Sequence, residues 1–395
     1  MTDFDFIIVG KGMMGASAAR HLSASGARIA LIGPDEPLNK ARHDGVFASH
    51  YDEGRITRSL DGNAVWGRLA QRSIARYRDI EAESGISFFN ESGCLMVGDL
   101  SGEGTSFIQS VIGVRDALGG AAEVLSQPDM ATSFPCFSFS SPSVGVFEAK
   151  GAGTINPRAL VSAQTVCAQN ANVDVIPQQV VHVEDEAGRV RVTLRDGRWY
   201  TAGRVLLAAG GFSRNANLGT SDLDLTVKAR TVLFLEVDEA QHAEFAHMPS
   251  LIVENGRQED SIYLLPPIRY PDGRMFIKIG GDPVDRILNG DTEICDWFRT
   301  DGSASVGDHL HAIVKRLIPS LRPASLTTNS CVTVFTAHGY PYIGFSDSSR
   351  LAILTGGNGA AAKSCDEIGR LGARLILNGT FDAPEYETDF AVHKQ

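Results

Sequence analysis

Phe4-Asp5-Phe6-Ile7-Ile8-Val9-Gly10-Lys11-Gly12-Met13-Met14-Gly15 opens the chain, followed by Ala16-Ser17-Ala18-Ala19-Arg20-His21-Leu22. The apolar run Phe4 to Val9 reads as a strand, and the small-residue stretch after the glycines reads as a helix. Between them lies G-x-G-x-x-G. Strand, glycine turn and helix is the order that a dinucleotide site requires. Gly10 permits the tight turn, Gly12 lets backbone approach a pyrophosphate, and Gly15 lets the helix pack close to the strand. The helix N-terminus then offers unpaired N–H groups and the positive end of its dipole to phosphate.

Working outward, Arg28 to Ile32 reads as a second strand. An acid commonly ends that strand and holds the ribose hydroxyls. Here the position is Gly33, followed by Pro34, Asp35 and Glu36. Either acid reaching the ribose, backbone doing so, or two solvated loop acids all fit. Residues 39 to 62 form a long polar segment, which in a compact domain is usually functional. It carries Ser49, His50, Arg55 and Arg58. Helical spacing follows over 63 to 85 through Val65, Leu69, Ile74 and Ile80.

Strands are expected at Ile86 to Phe89, Cys94 to Val97, Val173 to Ile176, Val180 to Val183 and Val190 to Leu194. A turn at 152 to 160 leads into a helix with Pro157 in its first turn, where the missing N–H costs nothing. Arg204 to Leu207 is a parallel-type strand that runs out through Ala208-Ala209-Gly210-Gly211, where backbone can approach a ligand. Alternation at Thr231 to Val237, Ser261 to Leu265 and Arg274 to Ile279 predicts an antiparallel sheet. An amphipathic helix covers 306 to 318. The C-terminal part returns to nucleotide-fold character, with strand Leu351 to Leu354, the loop Thr355-Gly356-Gly357-Asn358-Gly359 and a helix from Ala360 to Leu377.

The chain has 395 residues and a net charge of -11. That length points to two intertwined domains. With no basic surplus to displace counterions, nucleic acid is an unsuitable partner. No apolar run reaches the roughly 18 residues that suggest a membrane span. Six scattered cysteines form no C-x-x-C pair, which argues against zinc or dithiol chemistry, and no metal site is expected. A cytoplasmic location with reduced thiols is the expectation.

Taken together, the opening glycine turn, Ser49-His50 with Arg55 and Arg58, the strand ending at Gly210-Gly211, Lys278, Cys331 and the glycine loop ending at Lys363 resemble amine-oxidising flavoproteins of the D-amino-acid oxidase superfamily. The monomeric sarcosine oxidase and N-methyl amino acid oxidase branch is nearest. The similarity runs nearly end to end. It implies FAD and an α/β fold (α+β overall): a Rossmann-like FAD-binding domain of the glutathione-reductase type beside an antiparallel-sheet substrate domain. We expect the FAD-binding domain over 1-85, 150-222 and 328-395, and the substrate domain over 86-149 and 223-327.

The resemblance implies oxidation of a small amine, an amino acid or N-methyl amino acid, by hydride transfer to the flavin. The imine is then hydrolysed and O2 is reduced to peroxide. An amine dehydrogenase with another electron acceptor, and a flavin-binding subunit of a larger complex, are the alternatives. Arg58 and Lys363 match positions that grip a substrate carboxylate, and a guanidinium pairs bidentately with such a group. A surface arginine and a turn-capping lysine are the plainer readings. Arg55 falls near the flavin ring, or in a salt bridge with a nearby acid. Arg55 and Arg58 would not face the same way in an extended loop.

Lys278, a charge inside an apolar strand, matches the lysine that assists reaction with oxygen. The plainer alternative is an outward-facing side chain. Cys331 matches the cysteine that tethers the flavin covalently, but Thr333 departs from the branch's pattern, so a tether and a simple buried cysteine both remain. Flavin contacts are implied at Gly10, Gly12, Met13, Met14, Gly15, Ser49, His50, Val181, Ala209, Gly210, Gly357, Asn358, Gly359 and Lys363. Tyr263 and His338 are candidates for the cavity wall. Asp282 stands where that branch has a histidine, and an acid there would prefer a cationic group. Oligomeric state is left open.

Overall fold

The computed structural model describes residues 2–100, 104–139 and 142–395. Its first layer is a parallel sheet. Strand Phe4–Val9 lies between Ile29–Ile32 and Trp199–Leu207, with Ile7 opposite Ala30 on one side and Val205 on the other. Asp174–Ile176 extends the sheet beyond Ile29–Ile32, and Leu351–Thr355 extends it beyond the far half of Trp199–Leu207. The near half of Trp199–Leu207 instead pairs with the antiparallel hairpin Val180–Glu186 and Arg189–Leu194. Ile7, Ile8, Ala30, Leu31, Val205 and Leu206 have no exposed surface, which is why these strands read as unbroken apolar runs.

Helix Met13–Ser23 packs between Ala361–Asn378 and Pro157–Asn170. Small residues set how close it comes: a Cβ on Gly369 would fall 2.4 Å from Ser17 Oγ. Pro157 occupies the first turn of its helix behind the N-cap Asn156, whose side chain accepts from Ala159 N. The stretch over 63 to 85 is two helices, Ala64–Ile74 and Tyr77–Ser84, broken at Ala75 and Arg76.

The second layer is a sheet of nine strands. Leu225–Val237 runs next to one edge, paired with Met275–Gly280 on one side and with the edge strand Leu326–Thr336 on the other. The antiparallel expectation holds for every pair except Ser250–Glu254 with Cys94–Asp99, which run parallel. Ile262–Arg269 carries a bulge between Leu265 and Ile268, where Pro266 and Pro267 have no N–H to give the ladder. Helix Gly104–Leu118, which the strand-rich reading of that region passed over, packs on this layer near Cys94–Asp99. A three-stranded sheet, Arg55–Thr57, Gly153–Ile155 and Phe89–Asn90, stands between the layers and carries Arg55. No helix among the described residues is long and apolar enough to cross a membrane.

Candidate active site

The parallel strands end together. Gly10 follows the first, Gly33 the second, Ala208 the third, and Gly356 follows Leu351–Thr355. At that carboxyl edge opens a cavity of ≈ 930 Å³, roofed by Tyr263, Gly280 and Cys331 from the large sheet. A ligand crevice outside the carboxyl ends of parallel strands is the general rule for such folds. The volume lies at the upper end of small-molecule sites, roughly 300–1,000 Å³.

Gly10 has φ +107°, and a Cβ there would fall 2.3 Å from the Ala208 carbonyl oxygen. Gly15 is equally constrained but faces inward, with the Gly10 carbonyl 1.8 Å from where its Cβ would be. Gly12 differs: a Cβ would meet only His50 Nδ1, at 3.9 Å, because it faces the cavity. Gly12 also caps the helix without a side-chain hydrogen bond, so the first N–H groups of Met13–Ser23 remain open to a ligand. These features fit the pyrophosphate of a dinucleotide. The second-strand acid does not: Asp35 is bonded to Lys11, and Glu36 pairs with Arg158 at 2.6 Å. Gly33 instead leaves room for the Lys11 backbone, whose N would lie 2.5 Å from an added Cβ.

Of the expected residues, Met13, Met14, Ser49, His50, Arg55, Arg58, Val181, Ala209, Gly210, Tyr263, Cys331, Gly357 and Gly359 line the cavity with Gly10 and Gly12. Gly15, Asn358, Lys278 and Lys363 stand behind the wall. Asn358 ties its loop to the neighbouring strand, accepting from Thr336 N at 3.0 Å. His338 lies elsewhere, packed on Tyr342 and His393 and bonded to Ala391 O.

His50 is a neutral ring, since burial and the nearby Arg158, Arg55 and Lys11 charges pull its pKa down to about 3. Burial pushes Tyr263 up to about 12. The Tyr263 ring fits because Gly280 has no side chain; a Cβ there would sit 2.4 Å from Tyr263 Cζ. Cys331 Sγ lies 3.7 Å from Arg55 Nη2, while Trp297 Nε1 donates to the Cys331 carbonyl at 2.8 Å.

Two carboxylates that the sequence reading did not single out organise the cations. Asp52 accepts from Arg55 Nη1, from Tyr270 OH at 2.7 Å and from Lys278 Nζ at 2.7 Å. Lys278 is wholly buried and also donates to the Gly54 carbonyl, so it is not an outward-facing strand residue. Burial and the Arg55 charge push its ammonium well below the usual lysine range. Asp61 accepts from Lys363 Nζ at 2.7 Å and from Arg58 Nη2 at 3.3 Å. Arg55 and Arg58 thus serve different partners, as their spacing suggested. Asp52-x-x-Arg55 and Arg58-x-x-Asp61 were visible as paired charges in the loop, and that spacing is the signal for both acids.

The model of the FAD dependent oxidoreductase family matches residues 5–375, and the chain belongs to that family of flavoenzymes. Its cofactor is FAD. A monomeric sarcosine oxidase of Streptomyces avermitilis is 23% identical over 401 aligned positions, covering 96% of this chain and 95% of that protein. An N-methyl-L-tryptophan oxidase of Yersinia pestis is 24% identical over 254 positions, 64% of each chain. Among solved structures, NikD, an unusual amino acid oxidase essential for nikkomycin biosynthesis, superposes with a TM-score of 0.77 at 20% identity, over 99% of this chain and 98% of that one.

Proposed function

We propose that this protein oxidises a small amine at the carbon beside nitrogen. Bound FAD supplies the chemistry by accepting a hydride equivalent. The observation that carries this reading is the continuous cavity, which joins the Gly10–Met14 turn to a wall of Tyr263, Arg58 and Asp282. The turn and the open helix end suit the cofactor's pyrophosphate, while Arg55 sets a positive charge beside Cys331 in the wall. Arg55 is the residue suited to stabilise negative charge developing on the reduced ring. Tyr263 closes the roof and helps exclude water from the reacting carbon.

Anaerobic mixing of the yellow protein with a panel of amines tests the proposal. A substrate bleaches the flavin band, and a panel with and without carboxylates that never bleaches it refutes amine oxidation. Molecular oxygen as acceptor is proposed on the same footing, with peroxide formed under air. A non-oxygen acceptor is the second reading, because Lys278 is tied to Asp52 and Gly54 rather than exposed in the cavity. Bleaching without peroxide on aeration selects it.

A further inference from the structure

We propose that Asp61 sets the substrate class: the amine oxidised here carries no free carboxylate, and an uncharged oxygen acceptor faces Arg58 instead. The inference rests on the amine-oxidising reading above and narrows it.

Arg58 and Lys363 do not wait for an incoming acid. Both are bonded to one oxygen of Asp61, at 3.3 and 2.7 Å. Burial works against that carboxylate, but the Lys363 and Arg58 charges outweigh it and keep Asp61 below its ordinary pKa, hence ionised. Burial lowers Lys363 to about 8, with Asp61 pulling the other way, so it stays mostly protonated at neutral pH. Glu148 is a second acid close enough to act on Lys363. It is anchored by Ser59 N at 3.1 Å and Leu60 N at 3.2 Å. Two cations and two carboxylates leave no net charge. A substrate carboxylate entering here would be a third anion among two cations, in a buried setting where an uncompensated charge is costly.

The other cations of the cavity lining are paired as well. Among the described residues, every lysine or arginine in its lining is already bonded to a carboxylate. Lys11 holds Asp35, Arg55 holds Asp52, and Lys228 and Arg230 share Asp285. The acids without such a partner point the other way. Asp282 accepts from Thr231 N at 3.1 Å and feels the Arg230 charge without bonding to it, with burial raising its pKa to about 6, and Glu254 accepts from Ser261 Oγ at 2.7 Å; both line the cavity without a direct ion pair. An ammonium is the charge this lining attracts. Arg58 Nε is buried without a partner, and a buried donor of this kind calls for an acceptor. With the charge already balanced, a carbonyl, amide or hydroxyl oxygen meets that need.

The test compares N-methylalanine with its primary amide, near-isosteres that differ in the charge beside the reacting carbon and in amine basicity, so limiting rates are compared per neutral amine across a pH series. Anaerobic flavin reduction by the wild-type holoprotein is expected to be at least about tenfold faster with the amide. In Asp61→Asn the preference narrows or inverts. A readout independent of turnover is acetate binding, followed by flavin absorbance and by thermal shift. Wild type is expected not to respond, and Asp61→Asn to bind acetate at least about tenfold more tightly. Faster reduction by the free acid in wild type overturns this inference and leaves amine oxidation standing. So does acetate binding that weakens in Asp61→Asn. Bleaching by neither compound, nor by any other amine, overturns the amine reading itself and this inference with it. The wild-type ratio decides the matter even where the variant folds poorly.

Discussion

Replacing Asp52 by asparagine removes the one anion that Lys278 and Arg55 share. Burial and the Arg55 charge weigh against a protonated Lys278, and the ion pair with Asp52 is what opposes them: for the protonated lysine, at the 2.7 Å separation of Lys278 Nζ and Asp52 Oδ2, the Coulomb attraction is about 6 kcal/mol at an effective dielectric of about 20. Part of it offsets the cost of drying both groups, so the measured loss for Asp52→Asn is expected at about 3–5 kcal/mol. That is a large fraction of the roughly 5–15 kcal/mol that holds a domain folded. Lys278→Met is milder, at about 1–3 kcal/mol, because Asp52 keeps Arg55 and Tyr270 as partners. In the double variant neither buried charge of this pair is left without the other, and its loss should fall short of the sum of the two single losses by about 2 kcal/mol. Urea unfolding of all four proteins at pH 7 and one fixed FAD concentration completes the cycle; ligand must be held constant because FAD itself stabilises the fold. A loss below about 1 kcal/mol for Asp52→Asn, or additivity within about 0.5 kcal/mol, would refute the shared-anion account.

Three further outcomes follow from the geometry. Gly12→Val should leave the apoprotein folded, because its Cβ meets open space, yet weaken FAD at least about tenfold in a fluorescence titration, whereas Gly15→Ala should unfold the apoprotein; equal FAD affinity in Gly12→Val would place the pyrophosphate elsewhere. Asp366 works against burial through the His21 hydrogen bond and the Arg20 and Arg76 charges, which hold it well below the ordinary 3.8. The folded chain therefore binds fewer protons than the unfolded one just below that value, so this stabilisation is complete above about pH 4 and lost on further acidification. Asp366→Asn should cost about 3–5 kcal/mol at pH 7 and flatten the acid limb of the stability curve; an unchanged acid limb counts against it. Cys331→Ser separates the two readings of that thiol: with a covalent tether, acid-precipitated wild type is yellow and the variant releases all its colour. Free colour from both leaves Cys331 as an ordinary wall residue.

Much of the nucleotide half was legible along the chain because its signals are local. A strand that must be apolar on both faces, a glycine that alone tolerates φ +107°, and a helix of small residues all declare themselves within twenty positions. The cavity wall at Arg55, Arg58, Tyr263 and Cys331 was reachable as residue types in order along the chain, and the structure brings them to one space. Their partners were not legible. Asp52 and Lys278 are separated by 226 positions and Asp61 and Lys363 by 302, so nothing in local pattern couples them. The parallel pair inside the large sheet escaped for the same reason, since strand direction is fixed by how distant segments cross and not by alternation.

The sequence by itself determined that a dinucleotide-type turn follows the first strand, and its resemblance to amine-oxidising flavoproteins pointed to basic residues around a flavin. Only the tertiary structure decided what those basic residues are for. Folding brings the distant Lys278 and Lys363 to acids of the loop that carries Arg55 and Arg58. Charge at a buried site is a sum over every neighbour, and neighbours are assigned by packing rather than by order along the chain.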